Sequence, residues 1–116
     1  MSSSATNPVL DALREIAIAM PNAEEGVSCN NATFQVGGKN FYFLGMQKGE
    51  VLSRLKLVDS LSEAEELAAK DEAHYSAGKG GWVTVRLSPT GRVPKQRMKK
   101  WIAESYRNLV PKKLQG

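Results

Sequence analysis

The sequence predicts an α+β domain of two layers, an antiparallel sheet carrying helices on one face. Three observations carry this reading. Apolar residues recur at helical spacing near both ends of the chain, runs between them alternate with period two, and Gly37-Gly38 separates two such runs. At 116 residues and 41% hydrophobic composition, the chain fits one domain over 8–114, with a polar segment, 1–7, expected to be disordered.

The first helix opens at Asn7 and Pro8, a capping residue followed by proline at the first helical position, and Asp11 suits the dipole of its first turn. Val9, Leu13, Ile16, Ala17 and Met20 line one stripe, and Pro21 stops the pattern. The runs 32–36 and 39–43 then form a hairpin, because two glycines supply the positive φ angles of a primed turn. A regular register sets Phe34 against Phe41 and Ala32 against Phe43. Phe34, Phe41 and Phe43 are thereby expected in the core, with Thr33, Gln35, Asn40 and Tyr42 on the opposite face.

Lys48-Gly49-Glu50 reads as a turn, and 51–57 as a strand with Val51, Ser53, Leu55 and Leu57 on one face and Leu52, Arg54 and Lys56 on the other. Ser60-Leu61-Ser62-Glu63 has the form of a capping box, opening a second helix to about Asp71 with Ala64, Leu67 and Ala68 inward and Glu63, Glu65 and Glu66 solvated. After the glycine-bearing loop 77–81, Val83, Val85 and Leu87 alternate with Trp82, Thr84 and Arg86 in another strand. Residues 88–91 make a turn. From about Pro94, Met98, Trp101, Ile102, Ser105 and Leu109 define a last helix that ends before Pro111. The open sheet face then holds Thr33, Gln35, Asn40, Tyr42, Arg54, Lys56, Trp82, Thr84 and Arg86.

Cys29 is the only cysteine, so no internal disulfide forms, and the longest apolar run, 16–20, cannot span a bilayer. A cytoplasmic protein with no membrane partner, expected as a monomer, follows from these features. Charge is the main functional clue. Eight of the 16 Lys and Arg lie in 92–116 against one acid, Glu104, so a body of net charge −3 is joined to an end of +7. Such asymmetry points to an anionic partner, nucleic acid before membrane.

Several stretches together resemble the MmcQ/YjbR family: 21–28, then 34–41 around Gly37-Gly38-Lys39, then 81–85, and finally Glu104-Ser105-Tyr106-Arg107. The resemblance runs from about Pro8 to Leu114. It implies a CyaY-like (frataxin-like) α+β fold, a double-wing arrangement and an association with DNA binding, and it carries over no active-site residue. Some relatives have a longer polar and aromatic stretch where this chain has only 77–81.

Two basic surfaces are candidate nucleic-acid contacts. On the last helix, Lys95, Arg97, Lys99, Lys100 and Arg107, extended by Lys112 and Lys113, present cations to phosphates. Lys95 and Arg97 stand in the first turn, where the dipole disfavours them. On the sheet, Arg54, Lys56 and Arg86 accompany Tyr42 and Trp82, and aromatics on a basic sheet stack exposed bases. The plain alternative to each is a solvated face. The loop 78–81 lacks the spacing of a Walker loop. His74 and Cys29 would have to meet to make a nucleophile and base, and they fall short of a zinc set. The second helix's acids resemble the iron-binding ridge of frataxins, but the first helix offers only Asp11 and Glu15. The expectation is a binding module for nucleic acid, DNA favoured, with no enzymatic activity, no metal and no cofactor. The alternative is a protein-interaction or small-molecule-binding regulatory domain of the same fold.

Overall fold

The computed structural model describes residues 8–28, 31–89 and 91–114, with backbone alone at Ser28. The expectations for 1–7, Cys29 and Thr90 lie outside the described residues. Helix α1 (Pro8–Ile18) buries Val9, Leu13, Ile16 and Ala17. It stops short of Pro21, and Asn22, at φ 62°, turns the chain into the sheet. Asn tolerates this left-handed conformation better than most residues.

Six antiparallel strands follow: β1 (Glu24–Ser28), β2 (Asn31–Val36), β3 (Lys39–Gln47), β4 (Glu50–Lys56), β5 (Tyr75–Ala77) and β6 (Trp82–Leu87). Their spatial order is β1-β2-β3-β4-β6-β5. Helix α2 (Leu61–Lys70) lies between β4 and β5 in the chain, and α3 (Lys95–Leu109) follows β6. All three helices serve one sheet face: α1 and α3 pack on each other and on β3, α3 also covers β4, and α2 rests on β5. This is the predicted α+β architecture. The strands β1 and β5 are additions, since Glu24-Glu25-Gly26 carries no apolar alternation and β5 spans only three residues.

The hairpin turn forms at Gly37 and Gly38, with φ of 57° and 84°, the doubly positive pair of a primed turn. Its predicted register holds for Val36 with Lys39 and for Gln35 with Asn40 and then breaks. A bulge shifts the pairing, so Phe34 faces Tyr42, Thr33 faces Phe43 and Ala32 faces Leu44. An extra residue in one strand reverses every side chain beyond it. Tyr42 is therefore in the core, fully buried, and Phe43 is on the open face. Both assignments correct the sequence reading.

The bulge is held from a distance. The Ser105 hydroxyl donates to the Phe41 carbonyl at 2.6 Å and accepts from the Lys56 amide at 2.9 Å, joining α3 to β3 and β4. Phe41 stays buried, edge-on to Tyr106 with ring centroids 5.2 Å apart. Tyr42 stacks on Phe34, and its hydroxyl pairs with Ser53 Oγ at 2.6 Å, which meets its need for a polar partner inside the core. Burial pushes the Tyr42 hydroxyl pKa up, with the Ser53 hydrogen bond pulling the other way.

The expected capping box is replaced by a tertiary cap. Ser60 is at the N-cap of α2 but makes no side-chain cap bond. Instead Glu104, reaching from α3, accepts from the backbone N–H groups of Val58 at 2.7 Å and Ser60 at 3.0 Å. A carboxylate there satisfies orphan donors and suits the helix dipole. Burial raises its pKa, but the Ser60 backbone and hydroxyl bonds, with those from Val58 and Asp59, hold it below the ordinary value. The one acid of the basic C-terminal region is thus a structural tie.

Candidate nucleic-acid interface

The alternation of β4 and β6 projects Arg54, Lys56, Trp82, Thr84 and Arg86 away from the helices, because Val51, Ser53, Leu55, Val83, Val85 and Leu87 fill the core side. Antiparallel pairing sets Leu52 beside Arg86, Arg54 beside Thr84 and Lys56 beside Trp82. Phe43, brought to this face by the bulge, stands opposite Arg54 on β3. Its ring meets Trp82 across β4, with centroids 6.1 Å apart and planes inclined at 58°. The Arg54 guanidinium lies over the Trp82 ring at 5.7 Å. Phe43, Trp82, Lys56 and Arg86 are half-buried and Arg54 is exposed.

Three cations and two aromatic rings therefore share the centre of one face. By the alternation of their strands, the acids on this side are Glu24 on the edge strand β1 and Glu50 at the far end of β4. Gly45 keeps the surface low beside Phe43, because a Cβ there would collide with the Asn31 side chain. The notch lined by Asn31, Phe43, Leu52 and Arg54 has a volume of about 10 Å³, roughly one water. The face is a platform.

Trp82 is positioned by the glycine loop. Gly81 has φ of 85°, and its carbonyl accepts from the Leu57 amide at 2.8 Å, while a Cβ would strike the Leu57 carbonyl oxygen. Only glycine meets both demands without strain. The Gly78 amide donates to the Trp82 carbonyl at 2.7 Å, so that donor of the loop serves the fold.

The cations of α3 divide. Lys95, Lys99, Lys100 and Arg107 are exposed on its outer side, whereas Arg97 is half-buried, donating to the Tyr75 hydroxyl at 2.9 Å and lying 5.7 Å from its ring centroid. Arg97 so gains a structural reason for its place in the first turn. Lys100 pairs with Glu63 at 3.4 Å, and Glu63 also accepts from Trp101 Nε1 at 3.0 Å. The Trp101 bond, opposed by burial and aided by Lys100, lowers the Glu63 pKa, so this acid is a link between α2 and α3 as well as a surface charge. Lys112 and Lys113 are exposed on a short turn beside the hairpin tip. The α3 cations and the sheet cations face opposite sides of the sheet, and do not form one stripe.

His74 sits on the surface, its Nδ1 2.8 Å from Asp71 Oδ1. Among the described residues no group of three or more His, Cys, Asp or Glu gathers to hold a metal ion, and no helix is long and apolar enough to cross a membrane. Tyr42 is buried in the core and absent from the open face expected for it, and Phe43 takes its place there. A local sequence signal for that exchange is lacking, and the side chain that bonds the Phe41 carbonyl at the bulge, Ser105, lies 64 residues away.

Comparison with known proteins agrees with this architecture. The chain is similar to the crystal structure of Deinococcus radiodurans protein DR2400, a DUF419 domain, with a TM-score of 0.66 and 22% identity over 84% of this chain and 75% of that one. No curated protein matches the chain. The YjbR family model matches residues 18–108, a span that takes in all six strands and α2 and nearly all of α3. The chain belongs to the YjbR family.

Proposed function

We propose that this protein is a non-enzymatic binding module for nucleic acid, DNA first, acting as a cytoplasmic monomer through the open face of its sheet. The observation that carries the reading is the cluster of Phe43, Trp82 and Arg54, flanked by Lys56 and Arg86. Rings supply a π-face to bases and the cations supply phosphate contacts that release counterions. The exposed lysines of α3 add long-range attraction from the other side of the sheet. This reverses the ranking expected from sequence, since Arg97 and Lys100 are already engaged by Tyr75 and Glu63. A small-molecule site is less favoured by the concavities of the described residues. One, of about 520 Å³, is an open trough lined by Glu63, Pro94, Lys95, Gln96, Arg97 and Lys100, unlike the mostly apolar enclosures that hold small ligands.

Fluorescence anisotropy with labelled oligonucleotides between about 50 and 200 mM salt tests the proposal. Three phosphate contacts on the sheet predict a log K against log salt slope of about −2 on single strands or about −2.7 on duplex. Arg54→Glu with Arg86→Glu is expected to remove most binding, and Lys99→Glu with Arg107→Glu to weaken it less. Absence of binding to any oligonucleotide at the lowest salt, or indifference to the sheet pair, would sink the reading.

A further inference from the structure

We infer that the sheet face is built for single-stranded nucleic acid, with unpaired bases stacked on Trp82 and Phe43 and the backbone tracking Arg54, Lys56 and Arg86. The inference rests on the nucleic-acid reading above and goes on to strandedness. Shape argues first. The major groove of a duplex admits a helix or a two-stranded ribbon, whereas β3, β4 and β6 are inner parts of a six-stranded sheet with partners on both sides. With neighbours about 4.8 Å apart on each flank, no ribbon projects from this part of the molecule. The rings stand over the middle of the sheet, half-buried, where paired bases inside a duplex cannot reach them.

The rings are also arranged for separate bases. Phe43 and Trp82 are inclined at 58° to one another, so they do not form a parallel slot, and each offers its own surface to a different base. Arg54 now occupies part of the Trp82 ring. Its guanidinium is exposed and the contact is weak, so an incoming base displaces it, and it swings to a phosphate. Arg54 and Lys56 are two residues apart on one strand, about 6.6 Å, with Arg86 on the neighbouring strand directly opposite Leu52. The cations thus run along the strands beside the rings, as backbone contacts to an extended chain require.

The separate roles give separate signatures. Trp82→Ala removes a stacking surface, so single-strand affinity is expected to fall roughly 5- to 150-fold with the salt slope unchanged. Arg54→Ala removes one phosphate contact, so the slope becomes shallower by about 0.7. The probe is a labelled oligothymidylate of about 15 nucleotides, compared with a duplex of the same length, within the site sizes of sheet-based single-strand binders. Wild-type protein is expected to bind the single strand more tightly, with quenching of Trp82 fluorescence. Trp101 is fully buried and supplies a constant background.

Trp82→Phe, which keeps a ring, and Trp82→Leu, which keeps bulk without one, guard against a folding defect. Thermal melts verify each variant, and recovery by Phe but not by Leu supports stacking. Equal or tighter binding to duplex, or single-strand affinity that Trp82→Leu leaves untouched, overturns the inference. If the double substitution of Arg54 and Arg86 still abolishes duplex binding in that case, the nucleic-acid reading stands and only the strandedness falls. Failure to bind either oligonucleotide removes both.

Discussion

Phe41, Tyr42 and Phe43 are three consecutive aromatic residues with three different surroundings. Phe41 packs under α3, Tyr42 stacks on Phe34 with its hydroxyl on Ser53, and Phe43 leans on Trp82 over the opposite face. Truncation separates them. Phe41→Ala is expected to cost about 3 to 5 kcal/mol, as for a fully buried ring, while Phe43→Ala costs no more than about 1.5 kcal/mol because its ring is only partly buried on the open face. Urea melts of the two variants check this, and equal losses would contradict the bulged register. Alternation alone locates Arg54, Lys56, Trp82 and Arg86, since β4 and β6 are regular and carry clear apolar partners. It misplaces Tyr42 and Phe43, because the pairing of β2 with β3 slips between Phe34 and Gln35, and alternation carries no signal for a bulge.

At the scale of elements, α3 is a connector whose polar groups reach every neighbour. Glu104 caps α2, Ser105 grips the bulge, and the Tyr106 hydroxyl donates to the Pro21 carbonyl at 2.8 Å, in the turn between α1 and β1. The stretch Glu104-Ser105-Tyr106, read from sequence as one fragment of a family resemblance, is thereby a set of three ties. Their sequence signature was visible, but their partners were not, since each lies at least 44 residues away.

The cap also sets a response to acid. Because the folded-state pKa of Glu104 is lowered, its contribution is fully present above the unfolded glutamate value, about 4.3, and is lost as pH falls through the lower folded value. Glu104→Gln keeps an acceptor without the charge, so its melting temperature should be reduced near neutrality and the gap from wild type should narrow below about pH 4. Glu104→Ala removes the acceptor of the Val58 and Ser60 amides, among its other donors, and should cost about 3 kcal/mol near neutrality. Thermal melts from about pH 3 to 7 measure both effects. A constant gap across that range would remove the charge from the explanation.

For the whole molecule, the two layers keep two kinds of charge work apart. On the helix side, cations are partly occupied in holding helices together, as Arg97 does at Tyr75 and Lys100 at Glu63. On the sheet side, Arg54, Lys56 and Arg86 stand beside rings and take part in none of the ion pairs among the described residues. The charge excess of the last quarter of the sequence is therefore a poor map of the proposed interface, which draws on the middle of the chain.

The ties of α3 have a consequence for motion. The amides of Lys56, Val58 and Ser60 find their acceptors on side chains of one helix, the first on Ser105 and the other two on Glu104. None of the three can open by the fraying of a strand end alone; each needs α3 to lift away, exposing the fully buried Trp101 and Ile102. In deuterated buffer these three hydrogens should therefore exchange with one shared free energy of opening, close to that of global unfolding, although they belong to a strand, a loop and a helix cap. Ser105→Ala and Glu104→Gln should release them in different subsets, the first freeing Lys56 and the second loosening Val58 and Ser60. Exchange of Val58 at the rate of an ordinary surface loop would show that the helix is not the lock.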